Sequence, residues 1–423
     1  MQLTIHLFTS ASKGGLTMKN FTNRILIAGF LAIIFGMCIW TGKIIYWDKK
    51  SFSDFENRKL ALNPVLTMDT IKSGKYFKDT ELHFTDHIAA RDSFIETYTK
   101  LQLKFNRTFV NNNYVADDGF ILSAPTKIDM RDQIKQSVNE LENLRTQFTK
   151  TEFYFLLAPS KLTTFSYKYP PYVNRGYDQK HHDYFVQELQ KINFPVIDVL
   201  PAFQKEFTHE QLEELYFKTD HHWNMKGAFY AYEQTMNYIA NHSKVFTGNA
   251  VDRDDYKTTI EKPNGQFIGS WNKQLYNLIK TPETILYVQL KQNPNMWDDF
   301  TVYLGPKSEE TTTKIPMKEF FAVDKNKLSP EYGSVYQTDY AQINILNPNA
   351  KNKLHAVIIK DSYVDAAYPL FAQEFEQTTF IDPRFGSSKN IKKDLEKLNA
   401  DIVLFLYNDT STNKEMYQFE NKE

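Results

Sequence analysis

Cysteine is nearly absent from this chain of 423 residues, which contains only one, Cys38. A single cysteine excludes an intrachain disulfide framework and the cysteine sets that hold structural zinc. An excess of one charge is missing too, because 50 lysine and arginine residues face 51 aspartate and glutamate residues. Without a basic excess to displace phosphate counterions, we expect no nucleic-acid partner. Glycine is scarce at 15 residues, which excludes collagen-like and glycine-linker chains.

One long uncharged run lies near the N-terminus, at residues 25–42, with the sequence ILIAGFLAIIFGMCIWTG. At about 1.5 Å per residue it can just cross a hydrocarbon core about 30 Å thick, if residues 44–47 help at the far interface. No small-x-small cleavage site follows, which favours an uncleaved transmembrane signal anchor over a removed signal peptide. Flanking lysine and arginine residues do not decide its orientation. We predict a single-pass cell-membrane protein with a cytoplasmic tail at 1–24 and an extracytoplasmic C-terminal part.

The chain beyond the anchor divides by pattern. Residues 43–118 are predicted to form a membrane-proximal helical segment, with apolar side chains at helical spacing. Residues 119–423 alternate short apolar runs with amphipathic stretches, which predicts a three-layer α/β domain with a mostly parallel sheet. The predicted strands are 153–158, 195–199, 354–360, 378–381 and 401–407, and the predicted helices are 130–150, 183–191, 227–239, 368–376 and 389–398. Residues 245–350 break this alternation with turn signals and β-like runs, and we interpret them as a β-rich insertion.

Two short segments carry residues suited to nucleophilic catalysis. Thr219-Asp220-His221-His222-Trp223 precedes a predicted helix, and Lys360-Asp361-Ser362-Tyr363 follows the strand at 354–360. A serine hydroxyl is a poor nucleophile at neutral pH, so it needs an imidazole to accept its proton and a carboxylate to orient that imidazole. Asp220 and His222 project to the same side if their segment is extended. The sequence therefore offers Ser362 as nucleophile, His222 as general base and Asp220 as orienting carboxylate.

Other interpretations of these residues stay open. The adjacent histidines could ligate a metal with Asp220, and His181 or His182 could join them. Neighbouring histidines on an extended segment point in opposite directions, and no HExxH motif or cysteine pair supports a metal site, so we predict no metal and no cofactor. Asp361 could serve mainly to shape its turn.

These residues resemble a known family. The run TDHHW followed by Asn-Met-Lys-Gly, together with a late Lys-Asp-Ser after a strand, resembles the DHHW proteins. These are SGNH hydrolase-like O-acetyltransferases, related to the alginate O-acetylation proteins (AlgX- and AlgJ-like) and to PatB-like wall-polysaccharide acetyltransferases. The resemblance covers roughly residues 50–420 and implies an SGNH-like three-layer fold in which Asp220, His222 and Ser362 take the three roles above. It departs at Lys360, where the family usually has glycine.

A serine acyltransferase also needs donors for the oxyanion of its tetrahedral intermediate. The backbone N–H of Ser362 is the first candidate, and Gly269 and Asn408 are candidates for a second donor. Arg384 follows a strand end, so it could hold an acceptor or form a surface salt bridge. Trp223 is the other candidate for substrate binding, although packing is the commoner role of tryptophan at such a corner.

Three functions fit these residues. The first is an extracytoplasmic O-acetyltransferase that moves acetyl through an acetyl-serine intermediate onto a cell-wall or exopolysaccharide hydroxyl. Acetyl-CoA is confined to the cytoplasm, so this function needs a polytopic membrane acyltransferase of the MBOAT type as acetyl relay. The second is a carbohydrate O-acetylesterase that uses the same triad. The third is a polysaccharide-binding scaffold without activity.

Overall fold

The computed structural model describes residues 10–47, 50–56, 58–262, 265–305, 313–322, 328–385, 390–412 and 414–420. The first nine residues of the expected cytoplasmic tail and residue 389 of a predicted helix lie outside these ranges. The chain forms two compact units, Met1–Asn106 and Arg107–Glu423.

The first unit begins with a long helix and continues with shorter elements. Within the long helix, Phe21–Trp47 is long and apolar enough to cross a membrane, with a mean hydropathy of 2.3. It contains the whole predicted anchor and is compatible with membrane anchoring. The elements of this unit are α1 Ser10–Trp47, β1 Phe52–Ser53, β2 Arg58–Lys59, α2 Met68–Lys72, α3 Lys75–His87 and α4 Arg91–Lys104.

Two paired arginines hold the shorter elements of the first unit together. Arg58 binds both carboxylate oxygens of Asp86 at 2.9 and 2.6 Å, and Arg91 binds both oxygens of Glu56 at 2.9 Å. Bidentate pairs of this kind fix geometry as well as charge. They tie the β1–β2 region to α3 and α4.

The second unit contains the remaining elements. Its helices are α5 Arg131–Thr146, α6 Lys161–Thr164, α7 Asp178–Lys191, α8 Leu200–Glu206, α9 His209–Glu213, α10 Met225–His242, α11 Ser270–Gln274, α12 Met317–Phe320, α13 Tyr332–Val335, α14 Tyr368–Ala372 and α15 Ile391–Leu398. Its strands are β3 Asn113–Val115, β4 Ile121–Ser123, β5 Glu152–Ala158, β6 Val196–Asp198, β7 Tyr256–Glu261, β8 Ile285–Leu290, β9 Thr301–Leu304, β10 Thr313–Pro316, β11 Gln342–Leu346, β12 Asn352–Lys360, β13 Phe375–Ile381 and β14 Ile402–Asn408.

An eight-stranded sheet forms the centre of this unit, in the order β10-β9-β11-β13-β12-β14-β5-β6. The five strands from β13 to β6 are parallel, and β11, β9 and β10 extend the sheet in antiparallel pairing. Successive residues of β5 enter different apolar cores, with Tyr154 and Leu156 on one side and Phe155 and Leu157 on the other. A sheet with a packed core on both faces is a three-layer α/β architecture, which confirms the predicted fold class with its mostly parallel sheet.

The region at 245–350 contributes to this central sheet. It supplies the three strands at one end of the sheet, β10, β9 and β11, and a separate antiparallel pair, β7 and β8. The runs that look β-like in the sequence, 284–290 and 300–305, correspond to β8 and β9. One predicted element is too long, because the helix over 368–376 ends at Ala372. Phe375 already pairs with Asn352 of β12, so strand pairing takes over there.

A buried ion triad joins three elements at the carboxyl ends of the parallel strands. The imidazole of His182 in α7 lies between Asp409, which follows β14, and Asp198 at the end of β6, at 3.1 Å from each. Burial by itself would lower the pKa of His182, but the hydrogen bonds and charges of the two carboxylates raise it to about 10. The folded state therefore holds a proton that the unfolded chain releases near its ordinary pKa of about 6.5.

This raised pKa predicts a loss of stability with rising pH. The contribution of His182 is fully present below about pH 6.5 and is lost as the pH rises through about 10. We expect His182→Gln to lower the apparent unfolding temperature of the full chain strongly at pH 6 and much less at pH 10. Thermal unfolding in detergent at both values checks this, with the exposed His242→Gln as control. An equal effect of His182→Gln at both pH values would contradict it.

Candidate active site

Ser362 lies on a sharp turn at the carboxyl end of a central strand. β12 ends at Lys360, and Asp361 caps a short 3-10 helix at Ser362–Ala367. The buried Asp361 carboxylate accepts hydrogen bonds from the backbone of Tyr363 at 2.9 Å and from the backbone and side-chain amide of Asn408 at 2.8 and 2.6 Å. Asp361 therefore shapes the turn that presents the serine hydroxyl.

The structure brings the three predicted catalytic residues into one hydrogen-bonded chain. The Ser362 hydroxyl lies 2.8 Å from His222 Nε2, and His222 Nδ1 lies 2.6 Å from Asp220 Oδ1. A carboxylate only accepts, so Nδ1 carries the proton, Nε2 is an acceptor, and the hydroxyl donates to it. The second Asp220 oxygen accepts the backbone N–H of Ser270 at 2.6 Å. This is the geometry in which an imidazole can take a proton from a serine.

Asp220 is a buried but strongly supported carboxylate. Burial would raise its pKa, but the adjacent imidazoles and the hydrogen bonds from His222 and Ser270 hold the pKa well below its usual range. His221, the other histidine of the pair, packs its ring at 3.7 Å from that of His222 and places Nδ1 at 2.8 Å from the Ser270 hydroxyl. Burial, with the charge of His222, lowers the pKa of His221. At neutral pH the site therefore holds an ionised Asp220 beside a neutral His221.

Reciprocal hydrogen bonds lock the two motif segments together. Trp223 donates its indole N–H to the carbonyl of Tyr363 at 2.7 Å, and Tyr363 donates its hydroxyl to the carbonyl of His221 at 2.8 Å. The two aromatic rings also meet edge to face, with centroids 5.1 Å apart. Because each segment binds the other in the core, the distance from His222 to Ser362 is set by packing.

Comparison with known proteins places this geometry in context. A family model described as an SGNH hydrolase-like domain, acetyltransferase AlgX, matches residues 123–289. A solved structure of Bacillus cereus PatB1 is 31% identical, covers 73% of this chain and 99% of its own, and superposes with a TM-score of 0.66. The chain belongs to the SGNH hydrolase-like O-acetyltransferase family. The resemblance inferred from the DHHW segment and the SGNH-like fold are thereby confirmed.

Two further solved structures are similar to this acetyltransferase family member. PatB1 of Bacillus cereus with a sulfonyl adduct is 28% identical, with 73% of this chain and 97% of its own covered and a TM-score of 0.63. A DHHW family protein from Eubacterium siraeum is 20% identical, with 73% and 96% covered and a TM-score of 0.54, and it shows the fold alone. A comparison with curated protein sequences gave no match.

Tyr332 is part of the site, although no pattern in the sequence indicated it. Its ring stacks on the imidazole of His222 with centroids 3.7 Å apart and an angle of 9° between the planes. Its hydroxyl donates to the carbonyl of Ser362 at 3.1 Å. The residue lies on α13, within the region at 245–350, so this region supplies one wall of the site. Tyr332 therefore holds the plane of the His222 imidazole and also contacts the backbone of Ser362.

The three candidate donors for the oxyanion differ in whether their N–H groups already have an acceptor within the protein. The backbone N–H of Ser362 donates to no residue in the described ranges, which keeps it available to a substrate. The N–H of Gly269 points to the Thr219 hydroxyl at 3.3 Å. A side chain at Gly269 would lie 2.4 Å from the backbone nitrogen of Asp220, so glycine here permits close backbone approach.

The side-chain amide of Asn408 already has two acceptors, because its two N–H groups donate to Asp361 and Ser411. We therefore assign Gly269 and Asn408 to supporting Asp220 and Asp361.

The two substrate-binding candidates also differ. Trp223 is 1% exposed, so it is a packing residue and contacts no substrate in this conformation. Arg384 is about one-third exposed and is held by Asp382 at 2.9 and 2.6 Å and by Asp339 at 3.1 Å. Its Nη1 group has no partner among the described residues. The salt bridges thus position Arg384, and one edge of its guanidinium binds none of the residues that the structure describes.

Lys360, at which the resemblance to the family departs from its usual glycine, is fully buried two residues before Ser362. Its ammonium lies 2.6 Å from Asp339, 2.8 Å from Asp365 and 3.3 Å from Asp382. Burial and the nearby Asp339 raise the pKa of Asp365 to about 8, against the opposing effect of Lys360. Lys360 and Arg384 place two positive charges among the carboxylates of Asp339, Asp365 and Asp382. The turn before Ser362 is therefore supported by an internal ion cluster.

The metal interpretation meets a physical obstacle. The ligand atoms of Asp220, His221 and His222 lie within 4.8 Å of one another, the one such grouping within the described ranges. A metal there would compete with the hydrogen bond between His222 and Asp220 or with the contact between His222 and Ser362. We keep the prediction that no metal is bound.

The loop that carries Asp220 is held from two sides by a buried lysine, Lys161, and a half-buried glutamate, Glu283. The ammonium of Lys161 donates to the carbonyls of Phe217, Lys218 and Asp220, each at 2.9 Å. A lysine that donates three hydrogen bonds is protonated, even though burial lowers its pKa to about 7. On the other side, Glu283 accepts the backbone N–H groups of Lys218 and Thr219 at 3.1 and 2.7 Å. We call Lys161 and Glu283 the loop clamp.

The loop clamp predicts a defect at a distance from the nucleophile. Lys161→Met removes a donor from three carbonyl oxygens, of which that of Lys218 keeps the backbone N–H of Ile121 at 2.8 Å. Each buried group left unsatisfied costs about 1–3 kcal/mol. We expect the loop to relax and kcat for an activated acetyl ester to fall by at least about tenfold, which corresponds to about 1.4 kcal/mol of transition-state stabilisation. Steady-state kinetics on the folded protein measure this effect.

Lys168→Met is the matched control, because Lys168 lies over the same Phe120 ring but binds Asp118 and Glu213. We expect it to keep a kcat near that of the wild type. A Lys161→Met variant with unchanged kcat would contradict a role of the clamp in placing Asp220.

Proposed function

We propose that this protein is a membrane-anchored, extracytoplasmic O-acetyltransferase that moves acetyl through Ser362 onto hydroxyls of a cell-wall or exopolysaccharide. The observation that carries the proposal is the chain of hydrogen bonds from Asp220 through His222 to Ser362 at the carboxyl end of β12. Membership of the acetyltransferase family supports the group transferred. The apolar segment Phe21–Trp47 supports attachment to the membrane.

The first half-reaction acylates the enzyme. His222 Nε2 takes the hydroxyl proton as Ser362 Oγ attacks the carbonyl carbon of a donor acetyl ester, and the carbonyl π electrons move to oxygen. The Ser362 backbone N–H is the first donor for that oxyanion. The intermediate collapses, the bond to the leaving alcohol breaks, and His222 returns the proton to that alcohol. Acetyl-Ser362 and the free alcohol are the products.

The second half-reaction transfers the acetyl group. His222 takes a proton from the acceptor hydroxyl as its oxygen attacks the acetyl carbonyl carbon. The tetrahedral intermediate then collapses, the bond between that carbon and Ser362 Oγ breaks, and His222 returns the proton to Oγ. Throughout, Asp220 stabilises the protonated imidazole and Tyr332 keeps its plane fixed. If water takes the place of the glycan hydroxyl, the same steps give an esterase, so the acceptor decides between the two functions. The intact hydrogen-bond chain argues against an inactive scaffold.

The acetyl donor outside the membrane must come from inside the cell. Acetyl-CoA is cytoplasmic, and the described part of the chain has one helix that could cross a membrane. One helix offers no path for an acetyl group. A polytopic membrane acyltransferase of the MBOAT type as relay completes the proposed scheme.

The relative with a bound adduct supports an activated nucleophile. PatB1 has been described with a sulfonyl adduct, and sulfonyl fluorides react with activated nucleophiles. For this chain we propose that Ser362 Oγ would form a bond to sulfur while fluoride leaves and His222 accepts the proton.

Removing the hydroxyl or the imidazole of the hydrogen-bond chain tests the proposal. We expect Ser362→Ala and His222→Ala in the full chain to lose turnover of an activated acetyl ester by at least about 10³-fold, because triad members act as a unit. Sulfonyl labelling, followed by intact mass, should disappear in Ser362→Ala. The exposed Ser93→Ala is the control. Wild-type turnover in both triad variants would remove the proposal.

An acceptor assay separates transferase from esterase. Wall and exopolysaccharide fragments are added to wild-type protein with the same donor, and acetylated glycan is followed by mass spectrometry. Acetyl on the glycan, absent with Ser362→Ala, is the expected result. Release of free acetate alone, unaffected by any glycan, would favour the esterase.

A further inference from the structure

Exposed apolar side chains are concentrated in the first unit. Outside the segment Phe21–Trp47, its described residues expose thirteen large apolar side chains, while the much longer second unit exposes six. An apolar surface of this density marks an interaction site. The thirteen are Phe52, Leu62, Val65, Leu66, Met68, Ile71, Phe77, Leu82, Phe84, Phe94, Tyr98, Leu101 and Phe105.

The clearest part of this surface is one side of α4, which we call the α4 apolar face: Phe94, Tyr98, Leu101 and Phe105. Spacings of four, three and four residues place these side chains in one stripe along the helix. They are 55%, 58%, 46% and 75% exposed, whereas Thr99 on another side of the helix is fully buried. The helix therefore packs inward by other residues and presents the stripe outward.

Lysines border the stripe. Lys100 and Lys104 are exposed and lie about 100° and about 60° around the helix from Leu101, both on the same flank of the stripe. A stripe of aromatic and leucine side chains with lysines beside it is the composition of helices that lie in the plane of a membrane interface. Lysine stems can lie along apolar surface while their ammonium groups reach the headgroups.

A hydrogen bond joins the corner between α3 and α4 to α1 and so defines the position of this corner along the axis of α1. The backbone N–H of Ala89, in this corner, donates to the hydroxyl of Thr41 at 3.0 Å, and Thr41 is buried. Thr41 lies six residues before the end of α1 at Trp47, which is about 9 Å along the axis. The Phe21–Trp47 segment is about 40 Å long. A hydrocarbon core of about 30 Å leaves about 5 Å of it beyond each edge.

From these lengths, Thr41 lies close to the edge of the hydrocarbon core, about 4 Å inside it. The corner at Ala89, and the start of α4 beside it, lie at the same level. Interfacial helices bury their apolar face about 5–10 Å into the boundary between headgroups and acyl chains. The depth of the corner at Ala89 and the composition of the stripe on α4 therefore both favour contact of this stripe with lipid.

We propose that the α4 apolar face lies in the lipid headgroup and acyl boundary of the membrane crossed by α1. The protein then contacts its membrane twice, through a spanning helix and through an in-plane helix beside it. Two contacts fix the rotation of the first unit about the axis of α1, which a single helix would leave free. This inference rests on the proposed span of α1 and is independent of the chemistry at Ser362.

Depth-dependent fluorescence quenching tests the proposal on the full chain. Cys38 is the only cysteine, so Cys38→Ser gives a background for single cysteines. Tyr98→Cys on the stripe and Lys100→Cys on its flank form a matched pair, and unmodified Cys38 reports on the span. Each is labelled in detergent with a polarity-sensitive fluorophore and reconstituted into phosphatidylcholine–phosphatidylglycerol vesicles at 3:1, with or without lipids spin-labelled near the headgroup.

The expected result is a blue-shifted, lipid-quenched label at position 98 and a water-exposed label at position 100, with several-fold stronger lipid quenching at 98. Equal exposure of both labels to a water-soluble quencher would overturn the proposal. A label at 98 that is shielded from water and yet not quenched by lipid would overturn it in favour of a protein partner. A label at Cys38 that lipids do not quench would overturn the span itself, together with this inference.

Discussion

The active site depends on one buried carboxylate, Asp220, and on the cost of keeping it charged. Moving a carboxylate out of water costs several kcal/mol unless donors replace its hydration. The donors to Asp220 are the imidazole of His222 and the backbone N–H of Ser270. The loop that carries Asp220 is held in place by Lys161, which donates to its carbonyls, and by Glu283, which accepts from its N–H groups. These contacts start from the ends of different strands and helices.

Much of this arrangement could be predicted from the sequence. The alternation of apolar runs and amphipathic stretches predicts the parallel strands, because buried strands need continuous apolar runs. Asp220, His222 and Ser362 could be selected because their chemistry requires each type of side chain and because both segments adjoin regular elements. The structure brings the three together, while their catalytic roles stay predictions.

Other parts could not be predicted, for physical reasons. Lys161 and Glu283 belong to residue types that are usually solvated, and only the folded chain shows that backbone groups replace their water. Tyr332 is one of 25 tyrosines, and its stacking on His222 depends on the path of residues 245–350. That region has many turn signals, which hide the fact that three of its strands extend the central sheet. Local pattern contains no information about such distant pairings.

The position before Asp361 shows how a departure from a family pattern is absorbed. A lysine in place of glycine introduces a charge at the end of a buried strand, where it would be unstable alone. Three aspartates surround it, and two of them also hold Arg384. The nucleophile turn and the one partly exposed arginine of the cluster therefore share one ionic support. This links the shape of the turn to the position of a group that a substrate can reach.

The proposed transfer through Ser362 is tested most directly by a search for the acetyl-Ser362 intermediate. The full-length wild-type chain is mixed with an activated acetyl ester without acceptor, stopped in acid within the first turnover, and mapped by peptide mass spectrometry. We expect one acetyl group on the peptide that contains Ser362. It should be lost when acceptor glycan is added, and the glycan should gain a matching amount of acetyl. Turnover of the donor with no acetyl on Ser362 at any time, or acetyl on another residue that passes to the glycan, would contradict it.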